Sequence, residues 1–254
     1  MNGKHTTDRG FSDLIGFVLM FSIIVGSVSI IYVAGFDNLE ELKNTEDVQT
    51  ADRAMRGVAE TFEDIHRQGA PSRSLDIGVD GANLDLVDSA LELRVDDGTT
   101  TYERTLTTQA LVIGRESQTR EVVYESGALF QVNKQNAGSI VRHRPVFSCD
   151  DDTAILSVVR LQGDLSISVD DPVQVTGTRV ETERLYPRPN GPPKATTITI
   201  DTTDSRYTGA WQNYFNRLGS EQDWEQVSGS PAEFECDVDR VFIRQTTIEV
   251  TTVQ

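Results

Sequence analysis

From Leu14 to Phe36 the chain reads LIGFVLMFSIIVGSVSIIYVAGF, 23 residues without a charged side chain. No other stretch narrows the possible folds as much. Coiled as an α-helix it would rise roughly 34 Å at about 1.5 Å per residue, enough to cross a hydrocarbon layer of about 30 Å. Lys4, His5 and Arg9 precede the run, and Asp37, Glu40 and Glu41 follow it. Basic flanks stay on the cytoplasmic side of a membrane. The expectation is a single crossing, with the amino terminus in the cytoplasm and everything after Phe36 outside the cell. The run is longer than the roughly 7–15 apolar residues of a secretory signal. The nearest small-residue cleavage site, Val33-Ala34-Gly35, lies inside it.

Charge limits the function classes. The 254 residues carry 40 acidic and 23 basic side chains, a formal net charge of −17. A nucleic-acid binder needs a basic footprint to neutralise phosphates, so no nucleic acid is expected as a partner. Lysine occurs only at positions 4, 43, 134 and 194, against 19 arginines and 23 aspartates. That balance suits a surface that stays hydrated in concentrated salt, where screening weakens repulsion between carboxylates. At 37% hydrophobic residues the chain can build a core, but not a multi-span membrane protein.

The residues before the apolar run have a pattern of their own. Asp8-Arg9-Gly10-Phe11-Ser12-Asp13 is a charged leader ending at a glycine, with an acid at the edge of the apolar segment. Together with the run behind it, Arg9 to Gly35 resembles the amino termini of archaeal type IV pilin-like proteins, which have class III signal peptides and archaellin-like starts. Gly69-Ala70-Pro71-Ser72-Arg73 and Glu121-Val122-Val123-Tyr124-Glu125-Ser126-Gly127-Ala128 are similar to segments of haloarchaeal pilin-like proteins of unassigned function.

The resemblance implies a membrane-inserted precursor cut by a prepilin peptidase after Gly10, with Arg9, Gly10 and Phe11 framing the cut. It implies a helix that starts in membrane lipid and then packs with other pilin-like subunits in a filament core. The expected product is a minor or accessory subunit that displays an outer β domain for adhesion or assembly. Asp13 stands third after that cut, whereas the bacterial pattern has Glu at the fifth mature position. From the residues alone, Gly16, Gly26, Ser22, Ser27 and Ser29 allow close helix approach. Three fates stay open: filament packing, a single-pass anchor for a surface binding protein, or a cleaved export signal.

Beyond Phe36 no proline occurs until Pro71. Val48, Ala51, Met55, Val58, Phe62 and Ile65 are spaced 3, 4, 3, 4, 3, a stripe on one helix face. Gly69-Ala70-Pro71 stops the helix. One nearly continuous helix is predicted from about Ser12 to Arg67. Its outer stripe packs on the protein's own β domain, on other subunits, or on both.

After Leu75 the apolar period moves from 3.6 toward 2. Leu75–Val79 and Ala90–Val95 alternate, Asp96-Asp97-Gly98 turns the chain, and Thr101–Leu106 returns as a hairpin strand. Strand-like runs recur to Val253, and one later segment, near 207–218, reads as an amphipathic helix with Trp211, Tyr214, Phe215 and Leu218 on one face. Pro187, Pro189, Pro192 and Pro193 mark a rigid loop. The expected class is α+β: a long amino-terminal membrane and stalk helix, then a mainly antiparallel β-sheet or β-sandwich domain. The segments are a leader at 1–10, a membrane or filament-core helix at 11–36, a stalk at 37–70 and the β domain at 71–254.

Chemistry is sparse. Cys149 and Cys236 are the only thiols, and an outside compartment permits a disulfide between them. Their acidic neighbours disfavour a catalytic thiolate. No phosphate loop, G-x-S-x-G, H-E-x-x-H or EF-hand spacing occurs. Three histidines leave little room for a metal centre. Val141-Arg142-His143-Arg144 reads as a solvated basic turn. The expectation is no enzyme, no cofactor, no metal and no catalytic residue.

Overall fold

The computed structural model describes the backbone of residues 8–253 except 137, 151, 190 and 220; the side chains of 8–13 and 31–47 lie outside that description. One helix, α1 (Asp8–Arg67), takes up the first part of the chain. The chain divides between Asp47 and Val48 into two compact units, each taken by itself here.

In the first unit the described side chains of α1, Leu14 to Ile30, are all exposed. The second unit holds the rest of α1, where Val48, Ala51, Met55, Val58, Phe62 and Ile65 are all buried. The helix ends because Gly69 adopts φ +76°, a left-handed conformation open to glycine at low cost. Gln68 N and Ala70 N then both donate to Asp64 O at 3.2 Å. Such bonds satisfy carbonyls that a helix end leaves unpaired.

The strands follow in order: β1 (Ser72–Ile77), β2 (Ala82–Asp96), β3 (Thr101–Gly114), β4 (Arg120–Glu125), β5 (Ala128–Asn133), β6 (Ser139–His143) and β7 (Val146–Asp150). Next come β8 (Thr153–Gln162), β9 (Ser166–Val169), β10 (Val173–Tyr186) and β11 (Thr197–Asp201). A short helix, α2 (Thr208–Leu218), precedes β12 (Glu225–Gln226), β13 (Glu233–Asp237) and β14 (Arg240–Val253). One sheet has the order β1-β10-β14-β8-β7, and the other β12-β13-β11-β2-β3-β4-β5-β6, with β9 also paired to β2. All pairings are antiparallel among the described residues except β8 with β14. The proline-rich segment crosses from β10 in the first sheet to β11 in the second.

Two apolar cores fill the unit. One gathers around α2, where Trp211 stacks near Phe147 at 5.7 Å and meets Phe130 edge-on at 5.1 Å. The other gathers around α1: Met55, Phe62 and Ile65 pack with Tyr124, Leu161, Val175, Ile248 and Val250. Cys149 and Cys236 are disulfide-bonded. The bond joins edge strand β7 of the five-stranded sheet to β13 of the other. Closing a loop with a sequence separation of 87 stabilises the fold by roughly 4 kcal/mol on chain-entropy grounds.

The structure overturns the membrane reading. Among the described residues no helix is long and apolar enough to cross a membrane. The described side chains of the apolar run extend from Leu14 to Ile30, a rise of about 26 Å against a hydrocarbon layer of about 30 Å. The side chains of Ile31 to Phe36 lie outside the description. The chain is α+β with mixed, mostly antiparallel sheets, but the membrane and stalk role given to its helix is corrected. The same finding corrects the archaeal pilin-like resemblance, the filament-subunit and single-pass anchor readings, and the placement in the cell membrane. Of the partners expected for the outer stripe, the protein's own β domain is the one seen: Val48–Arg67 belongs to the same compact unit as the strands.

Candidate interaction surfaces

The described part of α1 that carries Leu14 to Ile30 is apolar around its whole circumference. Leu14 is 59% exposed, Ile15 49%, Phe17 68% and Ile23 69%, and at about 100° per residue these four fall on different sides of the helix. Two of its three hydroxyls bond back to the helix: Ser27 Oγ donates to Ile24 O at 2.9 Å and Ser29 Oγ to Val25 O at 2.8 Å. A helix apolar on every side is normally found buried, and an exposed apolar area of this kind marks an interaction surface.

The expected packing glycines are open. A methyl group added at Gly16 or Gly26 would meet nothing within 4 Å. Asp13 and the expected processing residues Arg9, Gly10 and Phe11 have side chains outside the described residues; their backbone lies within α1.

A second feature, absent from the sequence reading, is a buried polar cluster at Glu125. The hairpin between β4 and β5 turns through Ser126 and Gly127, with φ 51° and 95°. Positive φ at both central residues is the two-residue turn that matches strand twist. The turn sets Glu125 in the interior, where Trp211 Nε1 donates to its Oε2 at 2.9 Å. Ser205 Oγ donates to both carboxylate oxygens at 3.0 Å, and Ser89 Oγ donates to Oε1. The two hydroxyls in turn accept backbone N–H groups, Ser89 from Arg206 at 3.1 Å and Ser205 from Tyr207 at 3.0 Å. Every donor therefore converges on the carboxylate. Burial pushes its pKa up, while the three donors pull it down. Glu125 is fully shielded from solvent. The cluster latches α2 to β2 and β4.

The histidines are structural too. His66, in the last turn of α1, has Nδ1 3.3 Å from Phe62 O, and its Nε2 is buried without a partner among the described residues. Burial, reinforced by the Arg244 charge and only partly offset by the Phe62 bond, lowers its pKa from 6.5 to about 4. His143 lies on β6, not in a solvated turn: its Nε2 is 3.7 Å from Glu63 Oε2, and neighbouring Arg142 Nε is 3.0 Å from Asp52 Oδ1. These contacts tie β6 to α1. His5 lies outside the described residues.

Among the described residues no three His, Cys, Asp or Glu side chains group as they would to hold a metal ion. The Asp96-Asp97 pair serves the hairpin turn. Asp97 accepts from the hydroxyls and backbone N–H groups of Thr99 and Thr100, which holds its pKa far below the usual carboxylate value.

One open cavity of about 450 Å³ lies on the five-stranded sheet beyond the end of α1, where Ile155, Phe242, Arg67, Arg184 and Arg244 come together. Sequence reasoning missed these residues because they are scattered over four elements and no local spacing links them. Glu125 was missed because one more acid in so acidic a chain looks like surface; the Ser126-Gly127 turn was the available signal.

No curated protein and no solved structure matches the chain. A family model does match, over residues 9–251, nearly the whole length and both of the units described above. The chain belongs to that family, a family of unknown function (DUF7289).

Proposed function

We propose that this chain is a non-catalytic assembly protein: copies associate through the apolar surface of α1 and thereby gather their disulfide-clamped β units. The observation that carries this reading is the all-round exposure of Leu14 to Ile30. Burying apolar area gains roughly 25 cal/mol per Å², so several large side chains covered on each copy outweigh the cost of association. Gly16, Ser22, Gly26 and Ser29 provide low points at which neighbouring helices approach closely. The absence of catalysis is part of the proposal. Glu125 is sealed, Cys149 and Cys236 are bonded to each other, and His66 is buried in the helix end.

Sedimentation velocity of the full chain, without detergent, tests the reading. The expected result is a discrete oligomer that Ile23→Asp combined with Ile30→Asp converts to monomer, with β-unit unfolding unchanged. A monomeric wild-type chain overturns the proposal, as does one that partitions into phospholipid vesicles as a monomer.

A further inference from the structure

Helix α1 covers only part of one face of the five-stranded sheet. On β14, Phe242, Arg244, Thr246, Ile248 and Val250 fall on the same face by strand alternation. Ile248 and Val250 pack in the α1 core, and Arg244 Nη2 reaches the helix end, donating to His66 O at 2.9 Å and to Ser157 Oγ at 3.1 Å. Past Arg67 the helix stops and the face continues uncovered. Phe242 and its register partner Ile155 are 40% and 48% exposed there, in a cavity of about 450 Å³. That volume lies within the roughly 300–1,000 Å³ of small-molecule sites.

The charges around this apolar floor are out of keeping with the rest of the molecule. Arg184 stands opposite Arg244 in the strand register, and like charges directly opposite destabilise a sheet. Arg184 has no hydrogen-bond or ion-pair partner among the described residues, and the two bonds made by Arg244 go to neutral oxygens. Two carboxylates are close: Glu63, paired with Arg67, and Glu183, which lines the cavity itself and is held by Arg104 at 3.8 Å and Gln245 at 3.3 Å. In a chain of net charge −17, two adjacent guanidinium groups without a counter-ion form a local conflict that a bound anion would relieve.

We propose that this groove binds a free single-chain amphiphile with a carboxylate head, its alkyl tail along Ile155 and Phe242 and its head between Arg184 and Arg244. The planar guanidinium fork suits a carboxylate. The cavity volume suits one chain, not the two tails of a membrane phospholipid. At the cavity β14 is paired on both sides, and so is β8 at Ile155; the Arg179–Tyr186 part of β10 pairs with β14 alone, because β1 reaches only Thr178, so an acidic peptide is one of the competitors in the test.

The test uses the full chain with dodecanoate, read by isothermal calorimetry, and with a photoreactive dodecanoate analogue whose attachment sites are read by mass spectrometry. The expected result is labelling of the peptides containing Ile155 or Phe242. Affinity falls about tenfold or more with Arg184→Gln or with dodecanol replacing the acid, the scale of a lost charged hydrogen bond. Labelling confined to Leu14–Ile30, affinity indifferent to Arg184→Gln, or displacement of the probe by an acidic peptide but not by dodecanoate overturns the proposal. The outcome is independent of self-association, because the groove contains no residue of the exposed α1 segment.

Discussion

Two stretches of the same helix treat their apolar residues in opposite ways. Val48 to Ile65 confines them to one face and buries it, with Phe62 at 1% exposure and Met55 at 0%. Leu14 to Ile30 spreads them over every face and leaves them exposed. A stripe is satisfied by one partner on one side, and the β unit supplies that partner. An all-round apolar helix is satisfied only by surrounding it, which two sheets already filled by their own side chains cannot do. Distribution, not amount, decides whether a helix is completed within its own chain.

The largest expected contrast comes from a matched pair. Phe62→Ala opens a cavity beside Tyr124, whose ring centroid lies 5.3 Å away, and should destabilise the β unit by about 3–5 kcal/mol. Phe21→Ala, on the exposed stretch, should leave it within about 0.5 kcal/mol. Guanidinium unfolding followed by the fluorescence of Trp211 and Trp224 reads both, and equal effects would erase the distinction.

His66 sharpens the comparison through pH. Its folded pKa of about 4 lies below the unfolded value of 6.5, so above pH 6.5 neither state carries the proton and there is no penalty. As pH falls through 6.5 the unfolded chain protonates first, and stability is lost until about pH 4, where the folded state protonates as well. The loss amounts to roughly 3 kcal/mol. In His66→Gln the fall in unfolding free energy between pH 7.5 and 4 should shrink by about that amount; an unchanged profile refutes it.

Glycines give a smaller pair. A methyl group at Gly177 would sit 2.7 Å from Phe62 Cε1 and 3.0 Å from Ile65 Cδ1, so Gly177→Ala should cost about 1–3 kcal/mol. Gly26→Ala meets open space and should strengthen α1 by up to about 1 kcal/mol, visible as slower amide exchange around residue 26. The least effect belongs to Glu63→Gln, which removes the pairs with Arg67 and His143. Being half-exposed, they are worth less than about 1 kcal/mol, a shift to be read in the same unfolding curves.

Much of the β unit's local pattern was legible. The 3-4-3-4-3 spacing from Val48 to Ile65 coincides with buried positions because helix periodicity is a local property. The Asp96-Asp97-Gly98 turn could be read for the same reason, its carboxylate and glycine supplying the bend themselves. Strands β6, β7 and β13 escaped notice. Each is only five residues long; β7 and β13 do alternate, burying Phe147 and Cys149 and Phe234 and Cys236, but two apolar positions are too few to stand out, and pairing across the sheet stabilises them. The hairpin strand expected at Thr101–Leu106 runs on to Gly114, because Thr108, polar in sequence, is buried where its Oγ1 accepts Leu161 N at 3.1 Å. Hydropathy reported that Leu14–Phe36 avoids water, but not what would cover it. The Arg184–Arg244 pair had no signature along the chain, since it depends on register between distant strands, and for the Glu125 latch only the Ser126-Gly127 turn was visible, not the partners on β2 and α2.

The parallel pairing of β8 with β14 also sets an order of events during synthesis. The last strand of the chain occupies the middle of the five-stranded sheet, between β10 and β8. A ribosome must therefore translate almost to residue 253 before those neighbours acquire their shared partner. Until then the growing polypeptide keeps two strand edges unmated, and Phe62 and Ile65 lack the Ile248 and Val250 half of their pocket. A nascent chain stalled before Arg240 would hold a hairpin-rich nine-stranded sheet beside an incomplete one, with its longest helix still short of a seat.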